Sequence, residues 1–319
     1  MRVKDLVLER GLLAVVFSTR NGAETLRHIL DGYVDVVQPD IAWRLIVVNN
    51  GSDDTTADIL ASYIDSLPLT IIDEPRPGKN VALNTAVESV AQDEGQHPQL
   101  YVFTDDDAIP APDFLKVWED VIHEKSEYDL FGGNVSAEFM SSPPNWLGEC
   151  QDWYEELYAQ NLRDEGDISA RYIFGPNMAV RGSIFEHGIR FDETIGPNGR
   201  KDYAMGSETE FCVRTERELG AKAWFVARAR VLHLVRPWQM TPNFFASRAI
   251  RHGRGVAQQH ATAGSVSKRA VLKAGWNFAF NRARAVFAGN QDRYRAIWQA
   301  NWSKGYVIGS LVSQRQDQG

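Results

Sequence analysis

Short apolar runs alternate with stretches of helical periodicity over the first hundred residues, and this alternation constrains the fold more than any other feature of the chain. Each run is short and continuously apolar, which is typical of strands buried on both faces of a sheet. The runs occupy residues 12–17, 44–48, 69–72 and 100–104, and the helical stretches between them occupy about 24–37, 51–64 and 80–91. Strands that alternate with helices predict βαβ units, so we expect an α/β fold with a mainly parallel sheet flanked by helices.

The alternation becomes less regular beyond residue 128. The patterns there predict a pair of strands at 128–139, a helix at 146–162, a strand at 171–180, a helix at 208–219 and a strand at 223–234. After Pro242 the sequence is basic and helical.

Composition excludes several classes of protein. The 319 residues are 44% hydrophobic and 24% charged, as in an ordinary globular protein, which argues against disorder and against a disulfide-rich miniprotein. No stretch approaches 18 consecutive apolar residues, and acidic and basic residues interrupt the first 17, so we expect neither a transmembrane helix nor a signal peptide. Two distant cysteines, Cys150 and Cys212, indicate reduced, structural thiols in a cytoplasmic protein.

Charge divides the chain into two regions. Residues 244–319 carry 12 Lys and Arg against two acidic residues, a net charge of +10, while residues 1–243 carry −18. So sharp a division predicts two regions with different roles, 1–243 and 244–319.

Three consecutive carboxylates, Asp105, Asp106 and Asp107, follow the predicted strand at 100–104. Adjacent carboxylates repel one another unless a cation lies among them. Carboxylate oxygens are ligands for Mg²⁺ or Mn²⁺, which often also bind substrate phosphates. A divalent metal site at the carboxyl end of a strand is one interpretation, and a solvated acidic turn that caps the next helix is the other.

Seven segments, in order over residues 12–255, resemble family 2 glycosyltransferases with the GT-A fold. They are Ser18–Leu26, Val48–Ser52, Gly78–Asn84, Asp105–Asp107 with Pro112–Leu115, Gly175–Arg181 with Phe191–Glu193, Gly206–Glu210, and His233. The resemblance implies that residues 1–243 form a GT-A domain and that 244–319 form a basic, aromatic-rich helical extension. It also implies an inverting transfer of a sugar from a nucleoside-diphosphate sugar, with a UDP-sugar favoured, to a saccharide or a lipid-linked acceptor.

The resemblance assigns a role to individual positions. It implies a nucleotide site formed by Ser18, Thr19, Arg20, Asn21, Glu24, Asn49, Asn50, Lys79, Asn84, Asp105 and Asp106. It implies Asp107 and His233 as ligands of Mn²⁺ or Mg²⁺, and Asn177, Gly206 and Trp238 as contacts of the donor or acceptor sugar.

For the catalytic base the resemblance implies Glu208, with Glu210 as the second candidate. A positioned carboxylate can take the proton of the attacking hydroxyl. Acidic residues in a first helical turn also stabilise the helix dipole, which is the structural alternative. A catalytically degenerate binding module and a sugar nucleotidyltransferase are the alternative functions.

Five positions depart from the family pattern. Ser18 replaces a Pro, Arg20 replaces a Tyr, and Asn49 replaces the Asp that typically contacts the base, which leaves the identity of the nucleotide open. Ser207-Glu208 replaces the usual Glu-Asp pair, and a Glu base is longer by one methylene but chemically equivalent.

The basic extension interleaves aromatic residues with Lys and Arg. One interpretation is peripheral contact with an anionic membrane, on its inner face, where a lipid-linked acceptor would lie. The other is packing of the aromatic residues on the acidic domain or in a homodimer. Nucleic acid is not expected as a partner. Gly253 and Gly255 suggest a bend in the first helix of the extension.

Overall fold

The computed structural model describes residues 12–94, 97–200, 202–262 and 267–316. Residues 1–11, where the sequence argues against a signal peptide, lie outside this set. The strands are β1 (Leu12–Thr19), β2 (Ala42–Asn49), β3 (Leu69–Asp73), β4 (Leu100–Phe103), β5 (Ala108–Pro110), β6 (Leu130–Phe139), β7 (Gly166–Asp167), β8 (Met178–Arg181) and β9 (Ala223–Val235). The helices are α1 (Leu26–Asp35), α2 (Thr56–Ala61), α3 (Lys79–Glu94), α4 (Phe114–Glu124), α5 (Tyr154–Tyr158), α6 (Gly182–Glu186), α7 (Ser207–Leu219), α8 (Pro242–Thr262), α9 (Lys268–Phe287) and α10 (Asn290–Gln316).

The nine strands of the described chain form one mixed sheet, in the order β3-β2-β1-β4-β8-β6-β9-β5, with β7 beside β9. The four strands predicted over the first hundred residues form its parallel half, in which β1 pairs with β2 and β4, and β2 pairs with β3. In the other half, β8 pairs with β4 and β6 in antiparallel register, and β9 pairs with β5 and β7 in antiparallel register. Parallel neighbours bring the carboxyl ends of β1, β2 and β4 to one edge.

Alternate residues of β1 serve two apolar layers, because successive side chains of a strand point to opposite faces. Val15 and Phe17 belong to a layer with α1 and α4, which includes the buried Trp118. Val16 belongs to the opposite layer with α3, in which Phe191 and Phe211 stack at 4.3 Å. Both faces of β1 are therefore covered, which explains its unbroken apolar sequence.

Three predicted elements differ from the structure. The helix predicted at 146–162 is a 3₁₀ helix over Asn145–Trp153 followed by the short α5. Residues 128–139 contain one strand, β6, and not a strand pair, because its neighbour in the sheet is the distant β8. The strand predicted at 171–180 is reduced to β8, preceded by 3₁₀ turns at Ala170–Tyr172 and Gly175–Asn177. Pro176 lies at the start of the second turn and its fixed φ favours a turn over a ladder.

The residues group into two compact units. The first comprises 1–138, 159–193 and 208–234, and the second comprises 139–158, 194–207 and 235–319. The second unit thus includes residues 139–158, 194–207 and 235–243, which the sequence assigned to the region 1–243. No helix in the described part of the chain combines the length and apolarity needed to cross a bilayer.

Aromatic packing and close helix contacts organise the second unit. Phe245 of α8 contacts Trp146, Trp153 and Trp298 with ring centroids 5.1–6.0 Å apart. Cys150 is buried in the segment that carries the first two tryptophans, and burial raises the pKa of its thiol to about 12. This agrees with a structural cysteine, because an inert thiol is one that stays protonated.

Candidate active site

Lys79 connects two of the predicted functional carboxylates. It is the first residue of α3, and its ammonium donates to Asp105 Oδ1 at 2.6 Å and to Glu208 Oε1 at 2.7 Å. The three side chains are 16–23% exposed. Burial alone would lower the pKa of Lys79, but the two carboxylates outweigh burial and raise that pKa above its ordinary value. A permanent cation therefore joins the acidic loop after β4 to the start of α7.

Asp106 connects the acidic loop to the turn that follows β1. Thr19 Oγ1 donates to Asp106 Oδ2 at 2.6 Å, and Thr25 Oγ1 donates to the Asp106 carbonyl at 2.8 Å. Position 22 requires a glycine, because a Cβ there would lie only 2.2 Å from Thr19 Oγ1. The predicted nucleotide residues Thr19 and Asp106 are thus brought together.

Asp107 faces His233 across the β5–β9 pairing. Ala108 is opposite His233 in the register, and this places His233 Nε2 at 3.1 Å from Asp107 Oδ1. Each residue is 8% exposed. The two predicted metal ligands therefore converge, although 126 residues separate them in the sequence.

Asp107 and His233 could supply two ligands to a divalent cation whose other ligands are diphosphate oxygens and water. Among the described residues, no group of three or more His, Cys, Asp or Glu is arranged to hold a metal. With metal–ligand bonds of about 2.1 Å, adjacent corners of an octahedron lie about 3 Å apart, close to the 3.1 Å between Asp107 Oδ1 and His233 Nε2. Mg²⁺ commonly takes few protein ligands and completes its shell with phosphate oxygens and water. Mn²⁺ also accepts imidazole.

Glu208 occupies space that a glycine leaves open. A Cβ on Gly175 would lie 2.5 Å from Glu208 Oε1 and 2.9 Å from its Cδ. The turn that carries Gly175 is tied to the end of β4, because Thr104 Oγ1 donates to the Pro176 carbonyl at 2.8 Å. The sequence placed Gly175 within a family segment, but it gave no sign of this contact.

The second candidate base has a different environment. Arg214, one turn further along α7, donates to both carboxylate oxygens of Glu210, at 2.6 and 3.2 Å. The same guanidinium donates to the Arg190 carbonyl at 2.6 Å. These contacts indicate a structural role for Glu210.

Two asparagines, the exposed Asn21 and the half-buried Asn49, lie at the carboxyl ends of β1 and β2. Asn21 has a left-handed φ of 55°, its N–H donates to Ser52 Oγ, and its Oδ1 accepts from the Asp53 N–H. Asn49 Nδ2 donates to Asp73 Oδ1 at 2.9 Å, across the β2–β3 register. Both predicted nucleotide residues therefore lie at the edge where ligands of such sheets bind.

Two other predicted nucleotide residues are buried and bind main-chain groups. Asn50 donates to the carbonyls of Glu74 and Arg76 and accepts from the Gly78 N–H, which holds the loop before Lys79. Asn84 donates to the Phe191 carbonyl and accepts from the Phe191 N–H. Their amides position chain segments around the site.

The remaining predicted residues fall in three places. Ser18 is half-buried and Arg20 and Glu24 are exposed, all at the carboxyl end of β1. Asn177 is fully buried, and its amide donates to the carbonyls of Asn134 and Ala229. Gly206 and Trp238 belong to the second unit, where Gly206 has a φ of 96° and Trp238 is 55% exposed.

Comparison with known families identifies the chain. The model of the family described as glycosyl transferase family 2 matches residues 14–189, more than half of the sequence. The chain belongs to glycosyl transferase family 2. The match includes β1–β4, the acidic loop and the Gly175 turn.

Two curated proteins of Haloferax volcanii are similar to this family 2 member. Glycosyltransferase AglE is 28% identical over 178 residues, 54% of either chain. Glucosyl-dolichyl phosphate glucuronosyltransferase is 21% identical over 196 residues, 60% of this chain and 58% of the relative. The chain thus spans little more than half the length of the curated relatives it matches.

Solved structures show the same fold. S. aureus TarS 1–349 in complex with UDP is 15% identical, with a TM-score of 0.54 over 97% of this chain and 92% of TarS. The mannosyltransferase PcManGT from Pyrobaculum calidifontis, in complex with GDP-Man and Mn²⁺, is 17% identical, with a TM-score of 0.55 over 97% and 75%. The expected GT-A-like α/β fold with a C-terminal helical region is confirmed.

Proposed function

We propose that this family 2 member transfers a sugar from a nucleoside-diphosphate sugar to a hydroxyl group, with inversion at the anomeric carbon. The observation that carries the proposal is the Lys79 bridge between Asp105 and Glu208, two residues from the Asp107–His233 pair. Through this bridge a candidate base, Glu208, and a cation, Lys79, contact the same acidic loop that carries the candidate metal ligand Asp107. As the family resemblance implies, a UDP-sugar is the favoured donor, and a saccharide or a lipid-linked hydroxyl is the acceptor.

Glu208 would act as the base. The acceptor oxygen forms a bond to the anomeric carbon while its proton passes to the Glu208 carboxylate. The bond between that carbon and the diphosphate oxygen breaks, and its electron pair leaves with the nucleoside diphosphate. A single displacement from the opposite side inverts the centre. The Lys79 ammonium, 2.7 Å from Glu208, favours the ionised form that the base needs.

The other residues hold the donor. Thr19, Asn21 and Asp106 lie at the carboxyl edge of the parallel strands, where the nucleoside would bind. Asp107 and His233 would hold Mn²⁺ or Mg²⁺, which when bound stabilises the negative charge of the departing diphosphate.

The test follows release of nucleoside diphosphate from UDP-, GDP- and dTDP-sugars, with Mn²⁺ and a panel of alkyl glycosides and lipid-linked saccharides that offer free hydroxyl groups. We expect Glu208→Gln to lower turnover by about 10²- to 10⁴-fold while donor affinity stays nearly unchanged. Glu210→Gln is the matched control on the same helical turn, and it should keep turnover within about ten-fold, because Glu210 is bound by Arg214. Undiminished turnover in Glu208→Gln would contradict the assignment of the base. Donor binding without turnover in the wild-type chain would instead favour a binding module.

A further inference from the structure

Helix α9 exposes an apolar stripe along one face. Its large members and their exposed fractions are Leu272 (75%), Trp276 (74%), Phe280 (56%), Val286 (75%) and Phe287 (89%). At 100° per residue these five positions fall within an arc of about 120°. A soluble helix normally turns such a stripe toward a core, so this orientation needs another explanation.

The opposite face of α9 accounts for how the helix is held. Ala274 and Asn281, about half a turn from the stripe, are the buried residues of α9. Ala274 packs in a cluster with Ala257 of α8 and Tyr306 of α10. Because the stripe takes no part in this packing, it is available to a partner outside the second unit.

Cations border the stripe. The helix contains five Lys and Arg and no acidic residue. Lys273 and Arg282 are exposed on opposite sides of the stripe, and Lys268 and Arg269 are exposed at its amino-terminal end. Arg284 pairs with Asp292 at 3.0 Å, whereas the other four form no ion pair with any residue that the structure describes. The face therefore carries a charge of about +4 around an apolar centre.

We propose that α9 docks this face on the surface of an anionic lipid bilayer, with the helix axis parallel to the membrane plane. An apolar stripe bounded by Lys and Arg is the arrangement that binds the interface between headgroups and acyl chains. The cations would meet anionic headgroups while Trp276 and Phe280 enter the acyl boundary. A second copy of the chain is a poorer occupant, because a two-fold contact would set these unpaired cations against their own equivalents. The proposal does not depend on the sugar-transfer proposal.

The test is co-sedimentation of the full chain with vesicles of phosphatidylcholine, with and without about one-third phosphatidylglycerol. We expect binding to the anionic vesicles only. Trp276→Ser/Phe280→Ser should weaken it by about 100-fold, since two large apolar contacts are lost. Lys273→Gln/Arg282→Gln should weaken it by about 25-fold, at about five-fold per cation.

A matched control removes two apolar side chains elsewhere. Ile64 and Leu162, in the first unit, are 53% and 59% exposed, and Ile64→Ser/Leu162→Ser should bind like the wild type. Circular dichroism checks that each variant is folded, and the charge variant keeps the test valid if the apolar variant unfolds. Equal binding to neutral and anionic vesicles would overturn the proposal. So would a dimer, seen by sedimentation equilibrium, that Trp276→Ser/Phe280→Ser converts to monomers.

Discussion

Lys79 balances two partly buried carboxylates, Asp105 and Glu208, that come from distant parts of the chain. Because the pKa of Lys79 is raised, its contribution to stability is complete below its unfolded-state pKa, near 10.5, and is lost only as the pH rises through the higher folded-state value. In the wild type the Lys79 ammonium therefore adds no pH dependence between pH 5 and 8, as about 10.5 lies well above that range.

Lys79→Met should introduce such a dependence. Without the ammonium, the facing carboxylates raise the pKa of at least one of them above its unfolded value, so stability is lost as the pH rises above about 4.5. We expect the free energy of unfolding to fall by about 3 kcal/mol at pH 8 and by clearly less at pH 5, as measured in urea.

A second lysine that bridges two carboxylates provides the control. Lys116 pairs with Asp40, which is 91% exposed, and with Glu119, which is 8% exposed. Glu119 would not be left without a partner, because its Oε1 also accepts from the Asp40 and Ile41 N–H groups. Lys116→Met should therefore cost only about 1 kcal/mol. An equal loss of stability in Lys79→Met at the two pH values would show that Asp105 and Glu208 do not repel each other once the ammonium is removed.

Gly175→Ala should affect turnover more than stability. The new Cβ would lie 2.5 Å from Glu208 Oε1, and a flexible side chain can move away at little cost to the fold. Because a displacement of about 1 Å at the reacting group can cost about 100-fold, we expect a fall in kcat of that order with a nearly unchanged melting temperature. Gly148→Ala is the control, since no atom lies within 4 Å of a Cβ there. A normal kcat in Gly175→Ala would argue against Glu208 as the base.

At single positions, the sequence predicted which residues need a partner better than it predicted which residues they contact. The repulsion among residues 105–107 correctly indicated a need for compensation, but each side chain finds its own partner, Lys79, Thr19 or His233. Those partners come from three other elements, and spacing along the chain cannot show which ones a fold brings near.

The helices α8 and α10 approach each other through glycines. A Cβ on Gly253 would lie 2.0 Å from the Trp302 carbonyl, and one on Gly305 would lie 2.0 Å from the Ile250 carbonyl. The sequence suggested a bend near Gly253, yet α8 continues as one helix through Thr262. The missing side chains serve close backbone packing, which a pattern within one helix does not reveal.

Two alanine substitutions in the helices of the second unit, one in α10 and one in α9, should therefore have opposite effects. Gly305→Ala meets backbone that cannot yield without separating the helices, and we expect it to lower the free energy of unfolding by about 3 kcal/mol. Gly275→Ala, in α9, meets no atom within 4 Å and should raise it by about 0.5–1 kcal/mol through helix propensity. Denaturant titration of both variants checks this. A loss of stability in both would mean that helix propensity does not determine the effect of the substitution at Gly275.

Elements with strong periodicity were predicted well, and those that depend on distant pairing were not. The strands β1–β4 and helices α1 and α3 could be recognised because each carries its own apolar pattern. The β8 segment could not, because its extent is set by pairing with β4 and β6. Pro176 in the preceding turn was the one local signal that could have shortened it.

For the whole molecule, ligand binding should raise the free energy of unfolding. One nucleoside diphosphate of a panel containing UDP, GDP and dTDP, at about 100 times its dissociation constant, should add about 2.7 kcal/mol to the free energy of unfolding. We expect this gain with Mn²⁺ and its loss when EDTA removes the metal, because Asp107 and His233 fit a cation shared with the diphosphate. Thermal denaturation measures it.

A pair of Asp→Asn variants locates the effect. Asp107→Asn should lose the metal-dependent part of the gain, while Asp65→Asn, at an exposed position, should keep it. Stabilisation that is equal with and without Mn²⁺ would remove the metal from the proposal, and no stabilisation by any nucleotide would remove the donor site.

The second unit has a consequence for how the chain can be divided. The polypeptide passes between the two units five times, and residues 235–319 share a unit with 139–158 and 194–207. Trp146 and Trp153, from the first of these inserted segments, pack on Phe245 of α8. A truncation before α8 would therefore strip the inserted segment 139–158 of an apolar partner. The segments 139–158 and 194–207 share one compact unit with the basic helices. We therefore expect that these helices cannot be replaced by those of a homologue as an independent domain.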